Sequence, residues 1–172
     1  VATDTDGVLT YGTPKRLAGA VSLSLDAQGE SNPFYADDIV YFQSTANNGY
    51  SGSLELALIP EDFRSDVLGE ATSQNGLLVE KANAPTVEFA LLFEFTGDAN
   101  AVRHVLYNCT AAENTLEGQT KGENIEVQPE TLTITAKALP NGGPVKAKTG
   151  DTTDATVYAG WYETVHQFVT PT

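Results

Sequence analysis

Few residues of this chain have the types and the spacing that catalysis or metal binding needs. Its two histidines are His104 and His166, and its single cysteine is Cys109. His104 alternates with Arg103 and Val105 in a run typical of a β-strand, which predicts an ordinary strand histidine rather than a ligand. The two histidines lack metal-ligand spacing, and one cysteine can form neither an internal disulfide nor a thiolate zinc site. Cys109 lies in the same run, where we expect a buried and inert thiol.

The motifs that identify particular chemistries are also missing from the sequence. No G-x-S-x-G elbow, P-loop lysine or dinucleotide-binding G-x-G-x-x-G occurs. Asp4-Thr5-Asp6-Gly7 begins like a calcium loop, but the twelfth position is Lys15, which cannot supply the bidentate carboxylate. Asp37 and Asp38 are neighbours that would point to opposite faces of an extended chain, so a solvated loop is favoured. We therefore predict no enzyme activity, no cofactor and no metal; a hydrolase with a site scattered through loops is the weakest interpretation.

The charge of the chain limits its partners. The 172 residues carry a formal net charge of −14, with an isoelectric point near 4.2. Without a basic stripe, the chain is not expected to bind nucleic acid through its phosphates or to attach to an anionic membrane. No apolar run is long enough for a transmembrane helix, and no leader is present. Because the chain begins at Val1 and contains no methionine, we expect its natural start to be missing.

The stretch Val87–Phe95 carries the clearest structural signal. If it is extended, Val87, Phe89, Leu91, Phe93 and Phe95 share one apolar face, and the other face is formed by Glu88, Ala90, Leu92 and Glu94. A period of two with one apolar face is typical of a half-buried strand. The turn-rich Gly97–Asn100 follows, and Val102–Thr110 alternates again. The sequence predicts a β-hairpin with one face in a core and an acidic face outside.

The rest of the chain also favours strands over helices. Further alternating or short apolar runs cover Leu17–Asp26, Ile39–Phe42, Ser53–Ile59, Glu123–Gln128, Thr131–Ala138 and Val145–Lys148. Gln28–Asp38 and Gln43–Gly52 are rich in glycine, asparagine and proline and are interpreted as loops. These strands occur in meanders rather than in strand–helix–strand units. We predict a mainly β fold, an antiparallel β-sandwich or partial barrel, with residues 17–172 as one domain behind an irregular N-terminal arm of residues 1–16.

Two helices are predicted beside the sheet. Pro60 suits a first helical position, Glu61 and Asp62 complement the helix N-terminus, and Gly69 stands where a C-terminal cap belongs, so a flanking helix covers about residues 60–69. Asp154 could cap a short C-terminal helix. The apolar residues of that segment, four apart, are Val157, Trp161 and Val165.

Several segments follow one another in a characteristic order along the chain: Tyr11–Pro14, Leu17–Leu25, Asn32–Asp38, Asn48–Gly52, Leu54–Leu56, Ile59–Phe63, Phe89–Phe93, Thr131–Thr135 and Thr156–Tyr158. This series resembles the phi13-like family of major tail proteins of long-tailed phages. The resemblance extends from about Tyr11 to Trp161. It implies a structural virion protein that is assembled in the host cytoplasm and resides in the phage tail. Its copies would form rings, commonly hexameric, that stack into the tail tube through which DNA passes at ejection.

The same resemblance implies partners and contact surfaces. The partners are further copies of the chain and other tail proteins at the tube ends, with DNA only in passage and no membrane. Strand edges could continue the sheet between copies, and an acidic lumen would repel DNA phosphates within a Debye length of about 8 Å. The candidate lumen or inter-subunit face is Glu88, Leu92 and Glu94. The candidate inter-ring contacts lie in the two predicted loops and are Asn32, Phe34, Tyr35, Asp37, Asn48 and Tyr50.

An alternative interpretation is a monomeric β-sandwich module that binds carbohydrate or acts as an adhesin. Tyr158, Trp161 and Tyr162 would then form an aromatic platform for a sugar ring. Core packing of a short amphipathic segment explains the same three residues more simply. The two interpretations differ in whether Trp161 is exposed.

Overall fold

A computed structural model describes residues 1–6, 8–36, 39–98, 100–113 and 129–167, with only the backbone described for residues 30–36, 39–46 and 141. The strands are β1 Ala2–Thr5, β2 Val8–Tyr11, β3 Ala20–Ala36, β4 Ile39–Leu56, β5 Ala71–Thr72, β6 Leu78–Val79, β7 Phe89–Glu94, β8 Arg103–Glu113, β9 Glu130–Lys137 and β10 Lys146–Lys148. The helices are α1 Glu61–Asp66 and α2 Ala155–Ala159, and a 3-10 turn covers Pro140–Gly142. The predicted mainly β fold is confirmed.

Six strands form one antiparallel sheet that curls into an open half-barrel. The long strand β8 pairs with β7 along one side and with β9 and β10, which lie end to end, along the other. Next to β9 lies β4, and next to β4 lies β3. Within the described residues, β3, β7 and the short β10 each pair with one strand alone, and β3 and β7 lie at the two ends of the curled sheet. This architecture confirms the predicted partial barrel.

Strands β3 and β4 form a hairpin that is much longer than the sheet behind it. They pair from Ala20 with Leu56 to Ala36 with Ile39, whereas β9 accompanies β4 only over Tyr50–Leu56. The loops predicted for Gln28–Asp38 and Gln43–Gly52 are therefore wrong over their described residues, which are strand. Register shifts at Gln28/Gly29 and Phe34/Tyr35 absorb the irregular residues. Pro33 is tolerated because it lies on an end strand, where a missing N–H breaks no second ladder.

Some predictions fall on residues that the structure does not describe, namely the strand Glu123–Gln128 and the residues Asp37 and Asp38. The irregular arm predicted at the N-terminus is wrong for Ala2–Tyr11, which forms the hairpin β1–β2. This hairpin contacts the sheet through a hydrogen bond of 2.8 Å from the Ala2 N–H to the Glu88 carbonyl. The division of the chain at residue 16 stays a prediction.

The sheet has an apolar cluster on each face. On the concave face, the first cluster consists of Leu54, Leu56, Ile59, Val67, Phe89, Leu106, Cys109, Leu132, Ile134, Ala136 and Val145. Side chains of the two end strands β3 and β7 line one common pocket across this face, which shows that the sheet curls towards it. On the opposite face, the second cluster consists of Val105, Tyr107 and Trp161, with Ala90, Leu92, Val157 and Val165 packed against it. Both faces of β7 and β8 are thus covered.

The predicted hairpin Val87–Phe95 with Val102–Thr110 is confirmed as β7 and β8, but its faces differ from the prediction. Phe89, Leu91 and Phe93 belong to the first cluster as expected, whereas Phe95 follows the strand and is 53% exposed. The face predicted to be outside is covered, because Leu92 packs against the second cluster. The segment that covers it is α2 with the residues that follow.

Both predicted helices are confirmed, and both are short. α1 follows Pro60 and carries Glu61 and Asp62 in its first turn. It lies over the concave face, where the rings of Phe63 and Phe89 meet edge to face with centroids 5.7 Å apart. α2 begins after Asp154, whose carboxylate accepts the N–H of Thr156 at 2.7 Å. Each helix therefore closes one face of the sheet.

Gly52 tests how closely β3 approaches β4. A Cβ at this position would lie 1.9 Å from the Ser24 carbonyl oxygen. We expect Gly52→Ala to lower the free energy of unfolding by about 1–3 kcal/mol, because the hairpin must shift to admit the methyl group. Urea unfolding measures this loss.

The matched control for this substitution is Gly150→Ala. A Cβ there meets nothing within 4 Å. We expect it to change stability by no more than about 0.5 kcal/mol. Equal stabilities of the two variants would contradict the close approach.

Candidate assembly surfaces

The three residues predicted for the lumen or inter-subunit face all lie on β7 or just before it. Their surroundings differ. Glu88 is half-buried just before the strand, and its carbonyl receives the Ala2 N–H. Leu92 packs against the second cluster within the same chain. Glu94 is 46% exposed and pairs with Arg103, with 3.1 Å between the carboxylate oxygen and Nε. The assignment of this face to the lumen or to a neighbouring copy stays a prediction.

Arg103 holds the C-terminal segment against the sheet. Besides its ion pair with Glu94, its guanidinium donates through Nη1 to the Tyr158 carbonyl. It lies 4.0 Å from the centre of the Tyr158 ring and 5.1 Å from that of Tyr162. Burial and the neighbouring Glu94 raise the pKa of Tyr162 to about 12. Glu94 is therefore paired with a basic residue of its own chain.

The aromatic residues proposed as a sugar platform are used in this packing. Trp161 is 4% exposed and belongs to the second cluster, and its ring lies 5.7 Å from that of His166. Tyr158 and Tyr162 flank Arg103 instead of forming a flat surface with Trp161. Core packing of Trp161, the simpler of the two interpretations, is confirmed. The carbohydrate-binding alternative loses the residue on which it depended.

One end of the concave face is open and forms a pocket of about 340 Å³, here called the mouth. It is lined by Leu23, Ser24, Leu25, Tyr50, Phe93, Phe95, His104, Leu106 and Lys146. The His104 ring stacks on Phe93, with centroids 5.1 Å apart and planes at 13°. Burial, followed by the positive charges of Lys146 and Lys148, lowers the pKa of His104. The predicted strand position of His104 is confirmed, and its ring is held between aromatic residues.

The residues predicted for inter-ring contact lie on the long hairpin. Asn32, Phe34 and Tyr35 are on the part of β3 that extends beyond β9, and Asp37 falls outside the described residues. Asn48 is exposed on β4. Tyr50 lines the mouth, and the Lys146 ammonium lies 4.6 Å from the centre of its ring. Their role in ring stacking stays a prediction.

The two ends of the curled sheet present different surfaces. Along β3, residues from Ala20 to Gly29 are exposed or half-buried, and Val21 is 60% exposed. Along β7, a groove of about 640 Å³ lies between the β1–β2 hairpin, α1 and the C-terminal segment. The groove reaches from Val67 on α1 to Tyr162, and Phe89–Leu92 line it. The outer edge of β7 thus lies along this groove, which residues 12–17 also line.

Sequence patterns missed the ion cluster that fastens α1. Arg64 contacts Glu70 at 3.0 Å, Glu113 at 2.9 Å and Glu130 at 3.0 Å. Glu130 also accepts the Ile59 N–H at 2.6 Å. Burial by itself would lower the pKa of Arg64, but the hydrogen bonds and charges of these carboxylates raise it overall. Glu70 is six residues from Arg64, but Glu113 and Glu130 come from distant strands, so no local pattern marks the cluster.

In the described part of the chain, no group of three or more histidine, cysteine and carboxylate side chains is placed to hold a metal ion. None of the described helices is long and apolar enough to cross a membrane. The Cys109 thiol is fully buried, and burial raises its pKa to about 12, as expected of an inert cysteine.

The fold and these surfaces define a class: a mainly β protein whose curled antiparallel sheet, over the described residues, has end strands β3 and β7 with an unpaired outer edge. The sequence identifies the family within this class. The model of the family described as phage tail tube protein matches residues 1–171, and the chain belongs to that family. It is a structural protein of the virion tail. No curated protein and no solved structure matches the chain significantly.

Arg103→Ala tests whether one side chain holds the C-terminal segment in place. The substitution removes an ion pair, a hydrogen bond and two ring contacts, so we expect the free energy of unfolding to fall by about 2–4 kcal/mol. The chain has one tryptophan, and it lies under this segment. Its fluorescence should shift to the red as Trp161 becomes hydrated.

Arg16→Ala is the control, because Arg16 is exposed. It should leave both the fluorescence and the stability unchanged. A buried Trp161 in the Arg103→Ala variant would show that the second cluster holds the segment without Arg103.

Proposed function

We propose that copies of this chain close into rings, six per ring in the form common to such tubes, and that the rings stack into the tail tube through which DNA leaves the capsid. The observation that carries this proposal is the open half-barrel, whose end strands β3 and β7 have no second strand partner in the described residues. A monomer has to protect such edges, whereas a ring uses them. The role needs self-association and no catalysis.

Lateral contact joins the β3 edge of one copy to the β7 edge of the next. The two edges are different surfaces of one chain, so their contact is heterologous and repeats in one rotational sense until it closes. The groove along β7 gives a neighbouring strand room to lie about 4.8 Å from β7, the spacing of paired strands. Main-chain hydrogen bonds would then continue the sheet around the ring.

The long hairpin gives each ring a contact to the next one. Its part beyond Tyr50 has no accompanying strand from β9. Eleven residues of β4, from Ile39 to Gly49, span about 36 Å at the rise of an antiparallel strand. A projection of that length reaches past the edge of its own subunit. This geometry supports the predicted inter-ring role of the hairpin.

The acidity of the chain suits a passage for DNA. Negative charge on the wall would repel phosphates, but screening limits the effect to carboxylates within about 8 Å of the DNA. The pairing of Glu94 with Arg103 further reduces what that carboxylate contributes. Glu88, which forms no ion pair within the described part of the chain, becomes the stronger of the two lumen candidates.

Engineered disulfides test the lateral contact. Ala90→Cys on β7 is combined in turn with Ser22→Cys, Ser24→Cys and Asp26→Cys on β3, so that one register brings the pair within bonding distance. Cys109 can remain, because its thiol is buried. We expect oxidation to give a ladder of covalent oligomers that ends at the closed ring, whose last band counts the copies.

Each single-cysteine variant is the control and should stop at the dimer. Rings and tubes of the wild-type protein should be visible by negative-stain microscopy. A protein that stays monomeric at high concentration, and forms no ladder in any register, would contradict the ring.

Charge reversal tests the lumen. Glu88→Lys combined with Glu94→Lys should leave tubes intact but slow or block DNA ejection, because the wall would then attract phosphates. Ejection kinetics from virions that carry the variant measure the effect. Glu94→Gln separates loss of the Arg103 ion pair from reversal of the charge.

The control for charge reversal is Glu80→Lys combined with Asp151→Lys. It changes the net charge by the same amount at exposed positions outside β7. Normal ejection from the Glu88→Lys, Glu94→Lys virions would remove both residues from the lumen.

A further inference from the structure

The mouth lies at the same end of the half-barrel as the long hairpin. β3 runs towards the hairpin tip, and the antiparallel pairings make β7, β9 and β10 run the same way. Phe93 near the end of β7, Lys146 on β10 and His104 near the start of β8 are therefore all displaced towards that tip. α1 covers the concave face from the other end, through Phe63 and Val67. The mouth is the part of this face that α1 leaves open.

The mouth combines an apolar floor with a positive rim. Leu23, Leu25 and Phe93 in its lining are only partly buried, and Phe95 is 53% exposed. Lys146 and its neighbour Lys148 are exposed and form no ion pair within the described part of the chain. In a chain with 23 acidic and 9 basic residues, two such lysines on one rim are unusual. An apolar side chain with acidic neighbours would complement this surface.

A segment with this chemistry lies at the opposite end of the same chain. Leu58 follows the last residue of β4 by two positions and is 67% exposed, although Leu56 and Ile59 beside it are buried. Glu61 and Asp62 follow in the first turn of α1, and both are exposed. This segment, Leu58–Asp62, presents an apolar side chain beside two carboxylates. We call it the knob.

We propose that the knob of one copy docks into the mouth of the next copy along the tube, with Leu58 against the apolar floor and Glu61 and Asp62 facing Lys146 and Lys148. The mouth and the knob lie at opposite ends of the strands, so the knob of one copy cannot reach the mouth of the same copy. The contact instead repeats head to tail, which propagates along an axis. The hairpin of each copy extends from the end of the half-barrel at which its mouth lies, so both are placed towards the next ring. This contact rests on the proposed stacking of rings and adds a second body-to-body contact to it.

Reversal of the rim charge tests this contact. In the Lys146→Glu, Lys148→Glu protein, the new carboxylates on the rim face Glu61 and Asp62 of the docked knob. Like charges then oppose one another at every such contact. We expect rings to form but the mass of sedimentable tubes to fall about tenfold or more, since like-charge juxtaposition repeats around each interface. Leu58→Asp should give the same result. Sedimentation and negative-stain microscopy measure the tubes, and Trp161 fluorescence with urea unfolding confirms that each variant is folded.

A charge swap within one chain is the decisive experiment. Adding Glu61→Lys and Asp62→Lys to the Lys146→Glu, Lys148→Glu chain restores opposite charges across the contact, and tubes should return. Lys15, which pairs with Asp62 at 3.6 Å, keeps its closer partner Asp66 at 2.7 Å. The matched control is Glu80→Lys with Lys81→Glu, a swap at exposed positions beside β6 that should leave tube assembly unchanged.

Each other outcome overturns the contact in a recognisable way. Tubes of normal mass from the Lys146→Glu, Lys148→Glu protein would show that stacking does not use the mouth. Folded monomers in place of rings would assign the mouth to the lateral contact instead. Folded rings that the charge swap fails to stack would exclude the knob as its occupant. Wild-type protein that forms rings but never tubes would overturn this contact together with the proposed stacking, whereas the first three outcomes leave the proposed function standing.

Discussion

The structure depends on the placement of β8 in the middle of the curled sheet, bonded along both sides and covered on both faces. The constraint is visible in its register with β7, where Phe89 is opposite Cys109 and Leu91 is opposite Leu106. One residue of β7 thus spans two of β8, which is a β-bulge. The bulge changes which side chains face the concave cluster, so that Leu106 and Cys109 both reach it although they are three residues apart. The five consecutive residues from Val105 to Cys109 are buried as a result.

Because β8 buries both faces, the sheet needs covers on both sides, and those covers leave few surfaces for assembly. α1 lies over the concave face, and Arg64 fastens it through three carboxylates, two of which belong to the distant strands β8 and β9. The C-terminal segment lies over the other face and is fastened by Arg103. Each arginine neutralises acidic residues of its own chain, so the net charge of −14 is not spread evenly over the surface. Two exposed lysines on the mouth and the exposed acids on the knob lie at opposite ends of the subunit, which gives it a direction.

Local patterns in the sequence predicted the elements that are stabilised by residues close to them in the chain. The β7–β8 hairpin, the helix after Pro60 and the helix capped by Asp154 all have local causes, namely alternation, a first-turn charge and a side-chain cap. The same local reasoning was wrong for Gln28–Gly29 and Asn47–Gly49. Those residues favour turns, but the pairing of β3 with β4 places them within strands, with a register shift there and a positive φ at Gly49. It was also wrong about the outer face of β7, because Leu92 is covered by residues about 70 positions further along the chain.

By itself, the sequence determined the class of the fold, the inert state of its cysteine and the family resemblance, because alternation, composition and ordered segments are properties of short stretches. The tertiary structure alone decided which edges stay open, which acidic residues are neutralised and where an apolar pocket remains. These depend on how the sheet curls, which brings β3 and β7 to the two sides of one mouth. Curl arises from the accumulated twist of many paired strands and from bulges at particular registers, and no single stretch of sequence encodes it.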